Sequence, residues 1–173
     1  KVRYIYTAPA TKPLGQGGDM HFAFSFAAQA VEVEVDSNTG EVKVLTIIAA
    51  NDVGAAINPL GLAVQVEGGA VMGIGNTLTE AFLTREGRVI TDRMARYRIP
   101  SIVHAPEVIS FIVEHKVSTG PFGGKGVGEI VSIPTTPAIT NAIYNATGYR
   151  VDTLPVDQEL VARHIHQEKF APV

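Results

Sequence analysis

The chain of 173 residues contains no cysteine and no tryptophan. Without thiols it cannot form a disulfide, a thiolate metal site or an iron–sulfur cluster from its own residues. Charged residues make up 18% of the chain, whereas hydrophobic residues make up 46%. Charged side chains normally cover a protein surface, so their shortage indicates that other protein covers much of this one. The chain is long enough to bury one hydrophobic core.

Further absences concern membranes, nucleic acids and metals. A run of about 18 apolar residues, the length that crosses a membrane, does not occur, and the first residues lack a signal-peptide pattern. The net charge of −3 gives no basic surface for nucleic acid or anionic lipid. The five histidines show no metal-ligand spacing, so we expect no metal ligand from this chain. We therefore expect a cytoplasmic protein with neither nucleic acid nor membrane as its partner.

The most unusual stretch is residues 120–129, GPFGGKGVGE, which hold five of the 17 glycines. Glycine has no Cβ, so the backbone N–H groups of such a loop can approach a bulky ligand closely. Lys125 adds a cation, and Glu129 places a carboxylate at the end of the loop. A phosphate-binding P-loop is excluded, because only three residues separate Gly120 from the Gly-Lys pair and no Ser or Thr follows the lysine. The residues alone leave open a ligand-binding loop and a plain glycine-rich turn.

The strand pattern predicts a β-hairpin within residues 22–53. Valine and glutamate alternate from residue 31 to 35, and DSNTG at residues 36–40 is typical of a turn. The apolar run at residues 109–113 predicts a buried strand that leads into the glycine loop. Residues 1–21 begin with a short strand-like run, Lys1–Tyr6, and form an extended lead-in to the domain at residues 22–173.

A long helix is predicted to begin at Asn58, where an N-cap side chain precedes Pro59, and to reach about Leu83. Each glycine inside a helix costs about 1 kcal/mol relative to alanine, and this helix contains Gly61, Gly68, Gly69, Gly73 and Gly75. Close approach of another backbone or of a cofactor to a small-residue face would offset that cost. Gln65 lies on the face of Gly69 and Gly73. It either faces a ligand or simply bonds to backbone within a tightly packed core.

In the C-terminal half, the sequence predicts connecting structure followed by two helices. A turn at Glu86-Gly87 and an extended piece at residues 97–100 precede the third strand. One helix begins at Thr136-Pro137 and closes at Gly148, and another runs from about residue 156 to 168. The predicted fold class is α+β: a β-hairpin within a mixed sheet, packed with the long glycine-rich helix and C-terminal helices.

Several motifs together resemble one family, the molybdenum hydroxylases, which include xanthine dehydrogenase, aldehyde oxidoreductase and nicotinate dehydrogenase. The first set resembles the C-terminal part of the family's molybdopterin-binding subunit: KGVGE at 125–129, PTTPAI at 134–139 and NAIYNATG at 141–148. The second set matches in the same order: DVG at 52–54, INP at 57–59, QVEGG at 65–69 and YRIP at 97–100. The resemblance covers roughly residues 22 to 165.

The resemblance implies roles for individual residues. In that family the glutamate that ends the glycine loop is the active-site base, which here is Glu129. The matching lysine and glutamine, Lys125 and Gln65, contact the pterin cofactor. The backbone amides of the loop help to hold it, and the corresponding residues are Gly124, Gly126, Val127 and Gly128.

The resemblance also implies an activity. The chain would be part of a molybdenum-cofactor-dependent hydroxylase, an oxidoreductase that oxidises N-heterocycles or aldehydes with water as the oxygen source. Its cofactor would be molybdopterin with molybdenum, expected as the cytosine dinucleotide, and the pterin's own sulfurs would ligate the metal. FAD and [2Fe-2S] clusters are expected on partner chains or domains. The chain would act only in a hetero-oligomer with the remaining molybdopterin-binding chain and with iron–sulfur and FAD subunits.

Two alternatives to this interpretation stay open. The family's other cofactor loops and its substrate-binding residues lie N-terminal to the matching region, so the chain could be a non-catalytic assembly subunit or a remnant of such an enzyme. It could also be an unrelated protein that binds phosphate through residues 120–128. The small-molecule substrate cannot be identified from this chain.

Overall fold

The computed structural model describes residues 1–169, and the last four residues of the predicted 22–173 domain lie outside the described part. The predicted hairpin is confirmed: β1 (Ala27–Val35) runs antiparallel to β2 (Val42–Asp52). In the turn, Gly40 adopts a φ of 73°. A Cβ at Gly40 would lie 1.9 Å from the carbonyl oxygen of Gln158, so the absence of a side chain lets the hairpin approach the last helix. Residues 1–26 contain no strand, and the prediction of one at Lys1–Tyr6 is wrong.

Helix α1 (Pro59–Leu78) begins as predicted, because the Asn58 side chain accepts a hydrogen bond from the N–H of Gly61 at 3.0 Å. It ends at Leu78 rather than at the predicted Leu83. The N–H groups of Thr79 and Glu80 both donate to the Gly75 carbonyl, and this shared acceptor closes the helix.

The small-residue face of α1 packs against protein. A Cβ at Gly69 would lie 2.1 Å from Val131 Cγ2, and one at Gly73 would lie 2.4 Å from Thr135 Cβ. A Cβ at Gly68 would meet nothing within 4 Å. The predicted close approach is therefore made by the chain's own residues 131–135 at two of these glycines, whereas Gly68 stays open.

The connecting region differs in part from its prediction. Strands β3 (Thr84–Arg85) and β4 (Arg88–Val89) flank the predicted turn at Glu86-Gly87, which is confirmed. A short helix, α2 (Met94–Tyr97), follows. It ends at Arg98, which is left-handed with a φ of 69° and whose N–H donates to Met94 O. The prediction of extended backbone is therefore wrong at Tyr97 and Arg98, because these residues turn to close the helix.

Strand β5 (Glu107–Val113) completes a mixed sheet among the described residues. It lies parallel to β2, and the strand order is β1-β2-β5. One face of the sheet packs against α1 and the following long helix, and its fully buried members on β2 are Ile47, Ala49 and Asn51. The opposite face is apolar and exposed at Ile48, Ile109 and Phe111. The predicted strand at residues 109–113 is confirmed, but the prediction that it is buried is wrong on this face, and the covering of the chain by other protein stays a prediction.

Two helices complete the described chain. Helix α3 (Thr135–Thr147) closes at Gly148 as predicted, with a φ of 75°, but it begins without a side-chain cap. Thr136 is not the predicted cap; its hydroxyl accepts a hydrogen bond from the Thr77 hydroxyl at 2.8 Å. Helix α4 (Gln158–Lys169) follows Asp157, whose carboxylate accepts from the N–H of Glu159 at 2.9 Å. The α+β class is confirmed. Within residues 1–169, the helices lack the combined length and apolarity that membrane crossing requires.

Asn51 supports a prediction about stability. Its side chain is fully buried on β2, and neither amide atom has a hydrogen-bond partner among the described residues. A buried polar group without a partner lowers the free energy of unfolding by about 1–3 kcal/mol. Leucine has a similar shape and would remove the polar atoms. We expect Asn51→Leu to leave the apparent Tm of the protein containing this chain unchanged or to raise it, and Asn51→Ala to lower it by adding a cavity. Thermal denaturation checks this. An equal loss in both variants would show that the amide has a partner beyond these residues.

Candidate functional site

The turn that follows β2 holds the glycine loop in place by backbone bonds. The N–H of Lys125 donates to Val53 O at 2.9 Å, and the N–H of Ala55 donates to Gly123 O at 2.9 Å. Gly54, between them, has a φ of 70°, and a Cβ there would lie 2.3 Å from Gly123 O. A residue without a side chain is therefore required for the loop to lie this close to the end of the sheet.

A buried ion pair joins the same two segments. Lys125 Nζ donates to Asp52 Oδ2 at 2.5 Å, and the two side chains are 3% and 11% exposed. Asp52 Oδ1 also accepts from the N–H of Gly54 at 3.1 Å, and Nζ lies 5.8 Å from the centre of the Phe26 ring. Burial acts to raise the pKa of the Asp52 carboxyl, but these hydrogen bonds and the lysine charge lower that pKa below its ordinary value. The ammonium group of Lys125 binds Asp52 in this structure. The predicted contact of Lys125 with the cofactor stays a prediction.

The second half of the loop offers unpaired donors. Among the described residues, the backbone N–H groups of Gly126, Val127 and Gly128 donate no hydrogen bond. Their neighbouring carbonyls do accept: Gly126 O from the Ser25 hydroxyl, and Gly128 O from Gln65 Nε2, both at 3.0 Å. A trans peptide directs its N–H and C=O oppositely, so the N–H of Val127 points away from Ser25. A Cβ at Gly126 or Gly128 would meet nothing within 4 Å, so open space adjoins these donors.

Glu129 and Gln65 lie in one cleft of about 690 Å³, although they are far apart in sequence. The cleft is also lined by Gly68 and Met72 of α1 and by Gly128. Glu129 is exposed, and its carboxylate forms no hydrogen bond or ion pair within residues 1–169. Since α3 begins only at Thr135, Glu129 does not cap that helix. The carboxylate is therefore available to act on a molecule in the cleft.

A second cleft, of about 710 Å³, lies on the Ser25 side of the loop. It is lined by Gly124 and Lys125 of the loop and by residues of the lead-in, among them Tyr6 and His21. The Tyr6 hydroxyl donates to the Thr119 carbonyl and so connects the lead-in to the loop. The structure thus brings Gln65, Gly128 and Glu129 to one side of the loop and Gly124, Lys125 and Gly126 to the other, whereas Val127 lines neither of these two clefts.

Sequence reasoning missed the residues that hold the loop. Asp52 belongs to the DVG motif, but its partner Lys125 is 73 positions away. No local sequence pattern indicates that these two residues form an ion pair. Ser25 has no sequence signal at all, because its hydroxyl bonds to a backbone carbonyl 101 positions away. The sequence predicts Gln65 as a cofactor contact, which stays a prediction, but no sequence pattern indicates its bond to Gly128 O.

The chemistry of this donor set suits the organic part of a pterin cofactor. Molybdopterin carries ring nitrogens, a carbonyl and a phosphate, all of which accept hydrogen bonds, and its fused rings need room. The N–H groups of residues 126–128, unpaired in the described part of the chain, supply the donors, and the open space beside Gly126 and Gly128 supplies the room. Residues 1–169 contain no cluster of three histidine, aspartate or glutamate side chains that would hold a metal directly. The loop's one lysine is paired with Asp52, so free phosphate is a poorer match for this loop than a larger hydrogen-bonding ligand.

Comparisons of sequence and of structure both identify known proteins that are similar to this chain. A family model described as "Molybdopterin cofactor-binding domain" matches residues 1–106. One subunit of a probable xanthine dehydrogenase of Bacillus subtilis is 39% identical over 151 residues, which are 87% of this chain and 20% of that protein. The molybdenum-binding chain of the aldehyde oxidoreductase of Escherichia coli K12 is 37% identical over 135 residues, 76% of this chain and 18% of that protein.

Solved structures give the same result. The aldehyde oxidoreductase of Desulfovibrio gigas superposes with a TM-score of 0.76 at 32% identity, over 82% of this chain and 15% of that one. The chain spans about a fifth of the length of the curated relatives it matches. The resemblance drawn from the motifs is confirmed, because the family model matches more than half of the residues. The chain belongs to the molybdopterin cofactor-binding domain family.

Proposed function

We propose that this chain forms part of a molybdenum hydroxylase that oxidises N-heterocycles or aldehydes with water as the oxygen source, with Glu129 as the general base. One observation carries the proposal: Gln65 Nε2 donates to Gly128 O at 3.0 Å, and this bond unites α1 with the loop end that presents Glu129. Glycine backbone, an amide side chain and a carboxylate without a partner among the described residues thus line the same cleft. That combination suits a site that both binds a cofactor and moves a proton.

In this proposal the backbone N–H groups of Gly126, Val127 and Gly128, together with Gln65, hold the pterin. The bound group supplies the two-electron oxidation and the transfer of a water-derived oxygen atom. Lys125 and Gly124 belong to the same binding loop, and in this proposal the Lys125 ammonium acts on cofactor binding indirectly, through its ion pair with Asp52. Glu129, which has no competing partner within residues 1–169, accepts the proton that leaves the water-derived oxygen.

The overall reaction fixes what the partners must do. A substrate C–H bond and a water O–H bond break, a C–O bond forms, and two protons and two electrons leave. The electrons need carriers that this cysteine-free chain cannot supply as iron–sulfur clusters. We therefore propose [2Fe-2S] and FAD subunits as partners, together with the remainder of the molybdopterin-binding subunit. The cytosine dinucleotide form of the cofactor and a cytoplasmic location are part of the same proposal.

The test uses the intact protein that contains this chain. Elemental analysis should find molybdenum, and acid hydrolysis should release a pterin and cytidine monophosphate. Mass spectrometry should identify chains carrying FAD and iron–sulfur clusters. Turnover of an aldehyde and of an N-heterocycle in ¹⁸O-labelled water should place the label in the product. An intact protein without molybdenum or pterin would instead support the alternative of a non-catalytic assembly subunit.

A further inference from the structure

We infer that Asp52 is a positioning residue for the cofactor-binding loop: it binds Lys125 and thereby fixes the backbone at residues 123–125, from which the amides of residues 126–128, unpaired within residues 1–169, continue. This inference rests on the proposed function. It assigns a role to a residue at the end of β2 that contributes to neither cleft. It also gives Lys125 a task that differs from direct contact with the cofactor.

Further contacts of Asp52 and Lys125 hold the ion pair in place. Asp52 uses Oδ2 for Lys125 Nζ and Oδ1 for the Gly54 N–H, so both carboxylate oxygens are engaged. The backbone of Asp52 is itself fixed by its N–H, which donates to Phe26 O at 2.8 Å. The Phe26 ring then lies 5.8 Å from Nζ and adds a second contact to the ammonium group. A rigid sheet end therefore determines where Lys125 lies.

Backbone bonds transmit that position to the loop. The Lys125 N–H donates to Val53 O, so main chain and side chain of the same residue are both held by the segment that carries Asp52. Gly126 follows directly, and its carbonyl is held by Ser25. A backbone segment that is held at both ends cannot rotate freely. The N–H groups of Gly126 and Val127 therefore keep a fixed orientation, in which they form no hydrogen bond within residues 1–169 and can donate to a ligand.

A buried ion pair makes a clear prediction for substitutions. Removing one partner leaves the other charge buried and uncompensated, which is far more disruptive than removing both. Asp52→Asn keeps the size of the side chain, and its Oδ1 can still accept from the Gly54 N–H. Lys125→Met keeps an unbranched side chain of similar length. The double variant then lacks the charges while it keeps the shape.

The experiment titrates the three variants with molybdenum cofactor extracted from a donor enzyme. Each is purified as the intact protein from a host that cannot make molybdopterin. We expect each single variant to bind the cofactor about 10–100-fold more weakly, as is typical for residues behind the directly binding ones. The double variant should recover most of the affinity lost by Lys125→Met. If Lys125 contacts the cofactor directly, the double variant will bind as weakly as Lys125→Met, and the inference is overturned.

Hydrogen exchange in the same cofactor-free proteins supplies a readout that does not depend on the proposed function. The amide hydrogens of Lys125 and Ala55 bond across the contact, and in Asp52→Asn they should exchange at least about tenfold faster, as expected when local opening becomes easier. Unchanged exchange would overturn the inference. A protein that takes up no cofactor in its unaltered form would contradict the proposed function instead.

Val44→Ala is the control for general destabilisation. Val44 lies in the core on the same strand β2, and it lines neither cleft beside the loop. We expect this variant to lower the apparent Tm by removing buried methyl groups, with cofactor affinity within about twofold of the unaltered protein, because the two sites are distant and independent. If Val44→Ala and Asp52→Asn lost the same cofactor affinity for the same decrease in apparent Tm, Asp52 would act only through the stability of the fold.

Discussion

Replacing Glu129 with glutamine is expected to lower turnover by about 10²–10⁴-fold, the usual loss when a general base is removed. Glutamine preserves the shape of the side chain but cannot accept the proton. The carboxylate has no hydrogen bond or ion pair within residues 1–169, so little of the fold depends on its charge. The apparent Tm and the molybdenum content should therefore stay near those of the unaltered protein.

Three measurements on one preparation distinguish a catalytic from a structural role: the rate of single-turnover reduction by substrate, the molybdenum content and the apparent Tm. Glu67→Gln is the matched control, since Glu67 is an exposed glutamate on α1 that does not line the cleft of Glu129. It should leave all three quantities unchanged. A Glu129→Gln protein that retains most of its reduction rate would refute the assignment of Glu129 as the base.

Features specified by neighbouring residues could be predicted from the sequence. The hairpin at β1 and β2 follows from alternation and from the turn at Gly40, and the start of α1 follows from Asn58 and Pro59. In each case the deciding contacts join residues a few positions apart. The glycine loop also stands out by its local composition, which allows close approach of a ligand but does not by itself distinguish a ligand-binding loop from a plain turn.

Features specified by distant contacts could not be predicted in this way. The ion pair of Asp52 with Lys125 joins two segments that the sheet brings together only after folding. A distant contact also holds the residue after α1, since Thr79 Oγ1 donates to Arg98 O at 2.7 Å. Motif order in the family placed Gln65 and Glu129 in one site, but the bond that brings them together, from Gln65 to Gly128, has no signature in either local sequence.

Two adjacent glycines of α1 provide the second prediction of large effect. Gly69→Ala should destabilise the protein, whereas Gly68→Ala should not. Both substitutions gain about 1 kcal/mol of helix propensity, so the difference between them measures packing alone. The new Cβ at Gly69 would lie 2.1 Å from Cγ2 of Val131, which is fully buried, whereas the new Cβ at Gly68 would meet nothing within 4 Å.

The cost at Gly69 cannot be relieved by a simple rotation of Val131, because a β-branched side chain is stiff at χ1 and the backbone carbon of Val131 would also lie 3.2 Å from the new Cβ. We expect Gly69→Ala to be about 1–3 kcal/mol less stable than Gly68→Ala, which corresponds to a difference in apparent Tm of about 2–4 °C per kcal/mol for a domain of this size. Thermal denaturation of the two proteins measures it.

Val131 connects this packing contact to the proposed chemistry, since it lies two residues after Glu129 and its carbonyl accepts from Gln29 Nε2 at 2.8 Å. Displacing Val131 should shift Glu129 within the cleft, so Gly69→Ala should also lower turnover. Val131→Ala removes the methyl group that the new Cβ meets, and in the double variant it should recover part of both losses. If Gly69→Ala proves as stable as Gly68→Ala, the contact with Val131 does not limit the residue at position 69, and the glycine there needs another cause.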